Sequence, residues 1–375
     1  MLKGARNMAQ NDQSRSEIYH LIYSAKEISK QEIAKKCGLS LPTLSKYLKQ
    51  LLDEGLIQKN GIFSSTGGRP AVIYSCNKNA GIAVGVEITA DQVNIAAVNL
   101  CGEIPVHKEY RIPFKGEADY YENISSKINS FIHDLDDKEK NLIGVTLAIQ
   151  GIVSSDKKSV LFCGLLDNAV IRKDMFEPYL DYPFSLVHDA EAASYAELWL
   201  HADLSNALYL SLNRYLGSAM ILSGRLAEST ELGAGIAEHM IMVPGGRECY
   251  CGSRGCADTL LSINALEEEA GCSVEQMFTN IHYGDPHAKA VLDSYLHHLA
   301  ALIYNVMMIA QGDVIIGGYL ENFLQDEHYR RLEKEIHRYR LLENAKIRLI
   351  PGYYAHHAAV IGAGLMRIRD FLETI

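Results

Sequence analysis

With 375 residues and 48% hydrophobic content, the chain is long enough for two or three domains with sizeable cores, and no apolar run approaches the about 18 residues of a membrane span. No basic-apolar-small pattern opens it, and Cys37, Cys76, Cys101, Cys163 and Cys272 are scattered as reduced thiols would be, so a cytoplasmic protein that neither is secreted nor enters a membrane is expected. Residues 1–80 carry twelve Lys and Arg against six Asp and Glu, the remainder 24 against 40, which joins a small basic module suited to a polyanion to a large acidic one suited to a small molecule.

Residues 1–13 are polar and without periodicity, which predicts a disordered leader, and the helical pattern begins at Ser14. Ile18, Leu21 and Ile22 share one face of a first helix ending near Ser24. Ser29 with Glu32 forms a capping box for a second helix through Lys36, turned at Gly38. A third helix follows Ser40. Its Leu41, Leu44, Leu48 and Leu51 face a core, leaving Thr43, Ser45, Lys46 and Lys49 on the opposite face and Gly55 as the stop. Leu56–Gln58, a turn at Asn60-Gly61 and the run from Ile62 predict a hairpin whose tip, Gly67-Gly68-Arg69-Pro70, is glycine-rich and basic. Residues 14–80 thus read as a winged helix-turn-helix, with Thr43, Ser45, Lys46 and Lys49 directed at the major groove and Arg69 at a narrow minor groove of double-stranded DNA. A three-helix protein-interaction module with a solvated lysine face is the alternative.

From residue 81 an α/β pattern starts. Ile82–Ile88 and Val93–Leu100 are apolar strands around a polar turn, Glu103–Arg111 is a third strand, and an amphipathic helix spans about 119–135. The strand Leu142–Ile149 ends before Gln150-Gly151, and Phe184–His188 ends at Asp189, ahead of a helix over 190–200. From about residue 205 the series repeats with strands Ala207–Leu212 and Ser218–Leu222, a long helix over 287–310, the strand Val314–Ile316 before Gly317-Gly318, and a closing helix over 356–371. Two lobes of this kind place a ligand cleft between them.

Inside the second lobe lies a chemically distinct stretch. Cys249, Cys251 and Cys256 fall within eight residues, interleaved with Gly252 and Gly255, and His239 stands ten residues upstream. Three thiolates and one imidazole supply a closed tetrahedral Zn2+ site, which leaves no open position for water and therefore holds a loop. Buried apolar cysteines or disulfides are the alternatives.

Taken together, the Gly38-Leu39-Ser40 turn, the Gly-Gly-Arg-Pro tip, His188-Asp189-Ala190, the cysteine cluster and the C-terminal Ala358-Ala-Val-Ile-Gly-Ala-Gly-Leu365 resemble the ROK family of repressors, open reading frames and sugar kinases. The resemblance runs from about Ser14 to the end. It implies an actin-like, hexokinase-like (ribonuclease H-like) fold of two lobes over residues 81–375, a sugar in the cleft with the zinc loop beside it, and a homodimer or dimer of dimers. Members with such a head are transcriptional repressors of carbohydrate operons, xylose repressors among them. Carried over by motif, the resemblance makes Gly151, Asn168, His188, Asp189, His239 and Asp258 the ligand-binding residues, with Asp189 where the kinases have their general base. The glutamate of the family's Glu-x-Gly-His falls on Ile236.

The family's kinases carry an Asp-x-Gly-Gly-Thr turn and a Gly-Thr-Gly turn whose bare backbone reaches phosphate. This chain has Glu87-Ile-Thr-Ala-Asp91 and Leu212-Asn213-Arg214 there, and only Gly317-Gly318 keeps the pattern. The expectation is a DNA-binding repressor controlled by a sugar or sugar derivative in a non-catalytic cleft. An ATP-dependent sugar kinase with a regulatory head, or a regulator answering to a protein partner, are the alternatives.

Overall fold

Two serines set the frame of the head. Ser29 caps α2 (Lys30–Cys37) in a full capping box with Glu32, and Ser40 caps α3 (Leu41–Asp53) through Thr43 N. Gly38, at φ 65, makes the left-handed turn between them. In this computed structural model the described residues are 2–63, 71–135, 141–166, 168–201, 203–227, 235–339, 341 and 346–375. Ahead of α2 lie α1 (Leu2–Ala25) and the short β1 (Ile28–Ser29), and after α3 come β2 (Ile57–Phe63) and β3 (Ala71–Cys76), which form a sheet in the order β1-β3-β2.

Three expectations for the head change. The helix starts ahead of Ser14: α1 spans Leu2–Ala25, a segment without proline to stop propagation. Leu41 does not join the core but is 50% exposed, since it stands at the first position of α3, beyond the packed turns. Asn60-Gly61 is not a hairpin turn; β2 runs through it with a bulge, the pairing shifting between Lys59↔Tyr74 and Ile62↔Val72. The tip with Arg69 lies outside the described residues.

The large domain contains one topology twice. Its first lobe has β4 (Ile82–Ile88), β5 (Val93–Asn99), β6 (Val106–Tyr110), α4 (Ala118–His133), β7 (Leu142–Ile149), the ribbon β8 (Ile152–Val153) and β9 (Val160–Phe162), β10 (Phe184–His188) and α5 (Asp189–Leu200). The second has β11 (Ala207–Leu212), β12 (Leu216–Leu222), β13 (Arg225–Leu226), α6 (Asp258–Leu261), α7 (Ile263–Ala270), α8 (Val274–His282), α9 (Pro286–Met307), β14 (Asp313–Gly317), α10 (Asp326–His337), β15 (Leu349–Pro351) and α11 (Ala358–Leu372). The sheets run β10-β7-β4-β5-β6 and β13-β12-β11-β14-β15. In each, the first strand of its lobe is central, antiparallel to the second and parallel to the fourth.

Two helices join the lobes. α11 closes the second lobe but packs on β4 and β7 of the first, while α5 closes the first and packs on β11 and β12 of the second. α11 and α5 cross closely because Gly362 has no side chain, a Cβ there falling 1.7 Å from Ala192 O, and Gly85 likewise lets α11 lie close on β4, a Cβ there falling 1.9 Å from Val360 O. This contact gives the C-terminal small-residue motif its physical meaning. One continuous core contains Ala192, Ala196, Val360 and Leu365 of this pair together with Ile18, Ile22, Leu44 and Leu51 of the head. Burying each such Ile or Leu contributes roughly 1.5–3 kcal/mol, so the head is fastened to the large domain by packing. Among the described residues no helix is long and apolar enough to cross a membrane.

Candidate effector cleft, metal loop and DNA-reading helix

The C-terminal ends of the parallel strands deliver side chains to the gap between the lobes, where open α/β sheets ordinarily bind ligands. β4 brings Glu87, β7 leads into Gln150 and Gly151, β10 ends at His188, and α5 opens with Asp189. From the second lobe come Asn213 and Arg214 after β11, Glu238 and His239, and Tyr319 after β14. They enclose a cavity of about 640 Å³, large enough for a sugar-sized molecule.

Its chemistry is acidic and partly dry. Glu87 is buried and accepts from Asn94 Nδ2 at 2.8 Å; burial pushes its carboxyl up to about 7, and Asp189 and Glu109 push the same way. Burial also raises Asp189, whose side chain stays 23% exposed at the cleft and lies 3.2 Å from His188 Nε2. Glu238 is buried, takes a hydrogen bond from the Ser218 hydroxyl, and is likewise raised by burial to about 7. Three carboxyls held short of water are ready acceptors for ligand hydroxyl donors. Phe162, Tyr215 and Tyr250 form an aromatic wall, the rings of Phe162 and Tyr250 stacked at 6.3 Å and those of Tyr215 and Tyr250 edge to face at 5.5 Å.

Of the six residues expected to bind ligand, Gly151, His188, Asp189 and His239 line this cleft. Asp258 does not: it is buried behind the wall, its Oδ1 accepting from Leu216 N at 2.8 Å, so it fixes the β11–β12 turn. Asn168 is exposed in a left-handed turn at φ 51 and also lies off the lining. Glu238, Glu87 and the aromatic wall were missed. The carboxylate absent at Ile236 stands two residues later, and Tyr250, between two cysteines, had to project from the metal loop, which are the signals that could have found them.

The metal loop brings its four donors together. His239 ends a single 3-10 turn (Ala237–His239), and all four donor atoms of His239, Cys249, Cys251 and Cys256 lie within 4.8 Å of one another. Cys251 Sγ and Cys256 Sγ are 3.7 Å apart, as are Cys249 Sγ and His239 Nδ1. Around tetrahedral zinc, S···S edges of about 3.8 Å and S···N edges of about 3.6 Å follow from the usual bond lengths, so the donor set fits that ion. Gly255 permits the fold of the loop, since at φ 80 a Cβ there would lie 1.7 Å from Val243 O.

The turns after β4 and β11 make hydrogen bonds within the chain. Asn213 Oδ1 accepts from Tyr319 N at 2.7 Å, and its Nδ2 donates to Ser211 Oγ at 2.9 Å. The backbone donor just past Gly317-Gly318 is thereby taken up. The turn after β4 closes on itself through Thr89 N to Gln92 O.

On α3, Thr43, Lys46 and Lys49 are exposed. Ser45 is less free, its hydroxyl donating to Leu41 O and accepting from Lys30 Nζ, both at 2.6 Å. Lys30, at the start of α2, adds a positive charge beside this face.

The ROK family pattern matches residues 83–369, and a winged helix-turn-helix DNA-binding pattern matches 11–58. The chain belongs to the ROK family. Similar relatives include the xylose repressor of Bacillus subtilis (strain 168), 24% identical over 360 residues and 93% of each chain, and the DNA-binding transcriptional dual regulator NagC of Escherichia coli (strain K12), 22% identical over 76% of this chain and 75% of the other. Among solved structures, a ROK family transcriptional regulator homologous to the E. coli MLC protein superposes with a TM-score of 0.79 at 22% identity, covering 96% of this chain and 97% of that one. A ROK family glucokinase from Streptomyces griseus, in complex with glucose and AMPPNP, superposes with a TM-score of 0.66 at 20% identity, covering 76% of this chain and 99% of the kinase. The ROK fold of this chain is thus a winged helix-turn-helix followed by a two-lobed, hexokinase-like domain.

Proposed function

We propose that this protein is a transcriptional repressor of carbohydrate-metabolism genes that binds operator DNA as a homodimer, or as a dimer of dimers, and responds to a sugar or sugar derivative in the cleft. The observation that carries the proposal is the shared core: the DNA-reading head packs on α5, and α5 starts at Asp189 in the cleft. A ligand that changes how the lobes sit on α5 changes the platform of the head, and shifts the equilibrium by its differential affinity for the two arrangements. Two such heads on a two-fold axis suit a pseudo-palindromic operator, with Thr43, Lys46 and Lys49 toward the groove and Arg69 from the wing. The match to a xylose repressor over 93% of each chain makes pentoses the first ligands to test.

His239, Cys249, Cys251 and Cys256 would hold zinc. Bound there, the ion supplies structural cross-linking of the loop and no open site for chemistry. The loop presents His239 and Tyr250 to the cleft, which ties metal retention to ligand recognition. Catalysis is not part of the proposal. Asn213 takes the Tyr319 N–H and the first-lobe turn lacks both glycines, so a nucleotide's phosphates would have to displace existing hydrogen bonds.

Selection of bound sequences from a random DNA pool, followed by titration with pentoses, hexoses and their phosphates, tests this reading. A palindromic site whose affinity changes with one sugar supports it. Equal binding by wild type and a Lys46→Ala/Lys49→Ala variant overturns the role of α3. Thermal shift with the same sugars separates a ligand-bound cleft from response to a protein partner, because a ligand binding only the folded chain raises the midpoint.

A further inference from the structure

His107 and Glu109 stand two residues apart on β6, so they project from the same face of that strand. The 3-10 turn Ala355–His357, just before α11, brings His357 against them. The His107 and His357 rings are 4.6 Å apart and nearly edge to face. Glu109 Oε1 lies 3.8 Å from His357 Nδ1 and 4.0 Å from His107 Nε2, and the three donor atoms all fall within 4.8 Å of one another. These two ring nitrogens are closed off from solvent, and neither makes a hydrogen bond.

Leaving a buried polar atom without a partner costs about 1–3 kcal/mol. Here two such atoms face the same carboxylate. A hydrogen-bonded ion pair does not satisfy them, because both contacts are longer than a hydrogen bond. Two protonated imidazoles at this separation would also repel. Burial lowers the pKa of both rings against the opposite pull of Glu109, and for His357 the neighbouring His356 and His107 act with burial, favouring the neutral form that coordinates a cation.

We propose that His107, Glu109 and His357 form a second metal site, separate from the thiolate loop, for a divalent transition cation of the zinc class. Two imidazoles and a carboxylate suit such borderline ions. Around tetrahedral zinc the N and O donors stand about 3.3 Å apart, so ligation draws the three side chains inward by less than 1 Å per contact judged from the Glu109 distances. The site links β6, an edge strand, to the turn that leads into α11. Glu109 and His356 also line the cleft, which puts the ion on the first-lobe wall of the ligand cavity. Three protein donors leave coordination positions that ligand oxygens can fill.

The test loads full-length, chelator-stripped protein with Co2+ and follows stoichiometry by elemental analysis and coordination by absorption. The expected result is two ions per chain. One gives the intense thiolate charge-transfer bands of the cysteine loop, and the other gives only the weak d–d bands of nitrogen and oxygen donors. His107→Gln and His357→Gln each lower the count to one and keep the thiolate bands. Cys251→Ser loses those bands and keeps the second ion, so the two sites fail independently. Circular dichroism of each variant establishes that it is folded. Thiolate bands with one ion per chain in wild type, or two ions retained in both folded histidine variants, overturn the proposal.

Discussion

Tyr23 of the head and Trp199 near the end of α5 meet edge to face, with ring centroids 5.8 Å apart and planes at 82°. Tyr23 also donates its hydroxyl to Leu100 O at 2.6 Å. α5 begins at Asp189 in the cleft, so about 15 Å of one rigid helix, at 1.5 Å per residue, separates the ligand pocket from this contact. Trp199→Leu is expected to leave operator and effector binding nearly intact while shrinking the effector's influence on DNA affinity from the roughly 5–150-fold usual for coupled sites to a few-fold at most. Fluorescence anisotropy of labelled operator, with and without effector, measures this. Unchanged coupling would exclude the contact as a route. Trp199 is also the sole tryptophan of the chain, so its emission reports effector binding in wild type.

Asp189→Asn addresses recognition in the cleft. The carboxylate is the most open of the three acids and accepts hydrogen bonds worth about 1.5–3 kcal/mol, against about 0.5–1.5 kcal/mol for a neutral amide. Calorimetry with the first sugar that stabilises the wild type should give about a 5–10-fold weaker Kd, while operator affinity without sugar stays the same. An unchanged Kd would place the ligand away from α5.

Glu87 imposes a pH dependence on stability. Its carboxyl is held at about 7 in the fold against 4.5 when exposed, so the native state carries the extra proton between those values. Stability therefore falls as pH rises through that window, by at most about 3 kcal/mol for this group. Asp189, Glu109 and Tyr209 are the titratable groups that face it, and Asn94 supplies its hydrogen bond. Urea denaturation of Glu87→Gln at pH 5 and pH 8 should show a shallower loss than wild type across that interval. Parallel curves would mean that Glu87 is not the group responsible.

The strands Ile82–Ile88 and Leu142–Ile149 were legible to the residue, because interior strands buried on both faces leave mainly apolar, β-branched runs, and the edge strand Phe184–His188 was legible because it ends at the polar His188-Asp189 before a helix. The convergence of His239, Cys249, Cys251 and Cys256 was legible because three of the four are close in sequence. Asp258 was misplaced because a motif fixes where a residue stands along the chain, not which way it points, and here the side chain turned back to Leu216 N. Glu87 and Glu238 come from different lobes and become one site only when the sheets face each other. Helices α6 to α8 went unread although Ser262 and Ser273 cap two of them, because segments of 4 to 9 residues carry too few turns for periodicity to emerge.

On α3, Lys46 and Lys49 are exposed and point away from the buried Leu44, Leu48 and Leu51. As phosphate contacts, each lysine-to-alanine change should weaken binding to all sequences alike and lower the slope of log K against log salt by about 1. Thr43→Ala, by contrast, should alter sequence preference more than salt dependence. Binding isotherms at several salt concentrations distinguish these outcomes, and a salt slope untouched by both lysine variants would remove α3 from the interface.

Cys251→Ala tests the metal loop against the cleft. The loop holds His239 at one end and, through Tyr250, one wall of the cavity, while the head packs on α5 and α11 at a different part of the molecule. With the proposed zinc in the loop, loss of one thiolate removes its structural contribution to the second lobe, several kcal/mol in sites of this type, and should lower the melting temperature by roughly 5–10 °C. Effector binding should weaken first, because the ring positions of His239 and Tyr250 depend on the loop, and operator binding in the absence of effector should survive at temperatures where the variant remains folded. Thermal melts and effector titrations on the variant, and on wild type stripped by a chelator, read both quantities. A Cys251→Ala protein with wild-type effector affinity would separate metal from ligand and leave the loop a purely local brace.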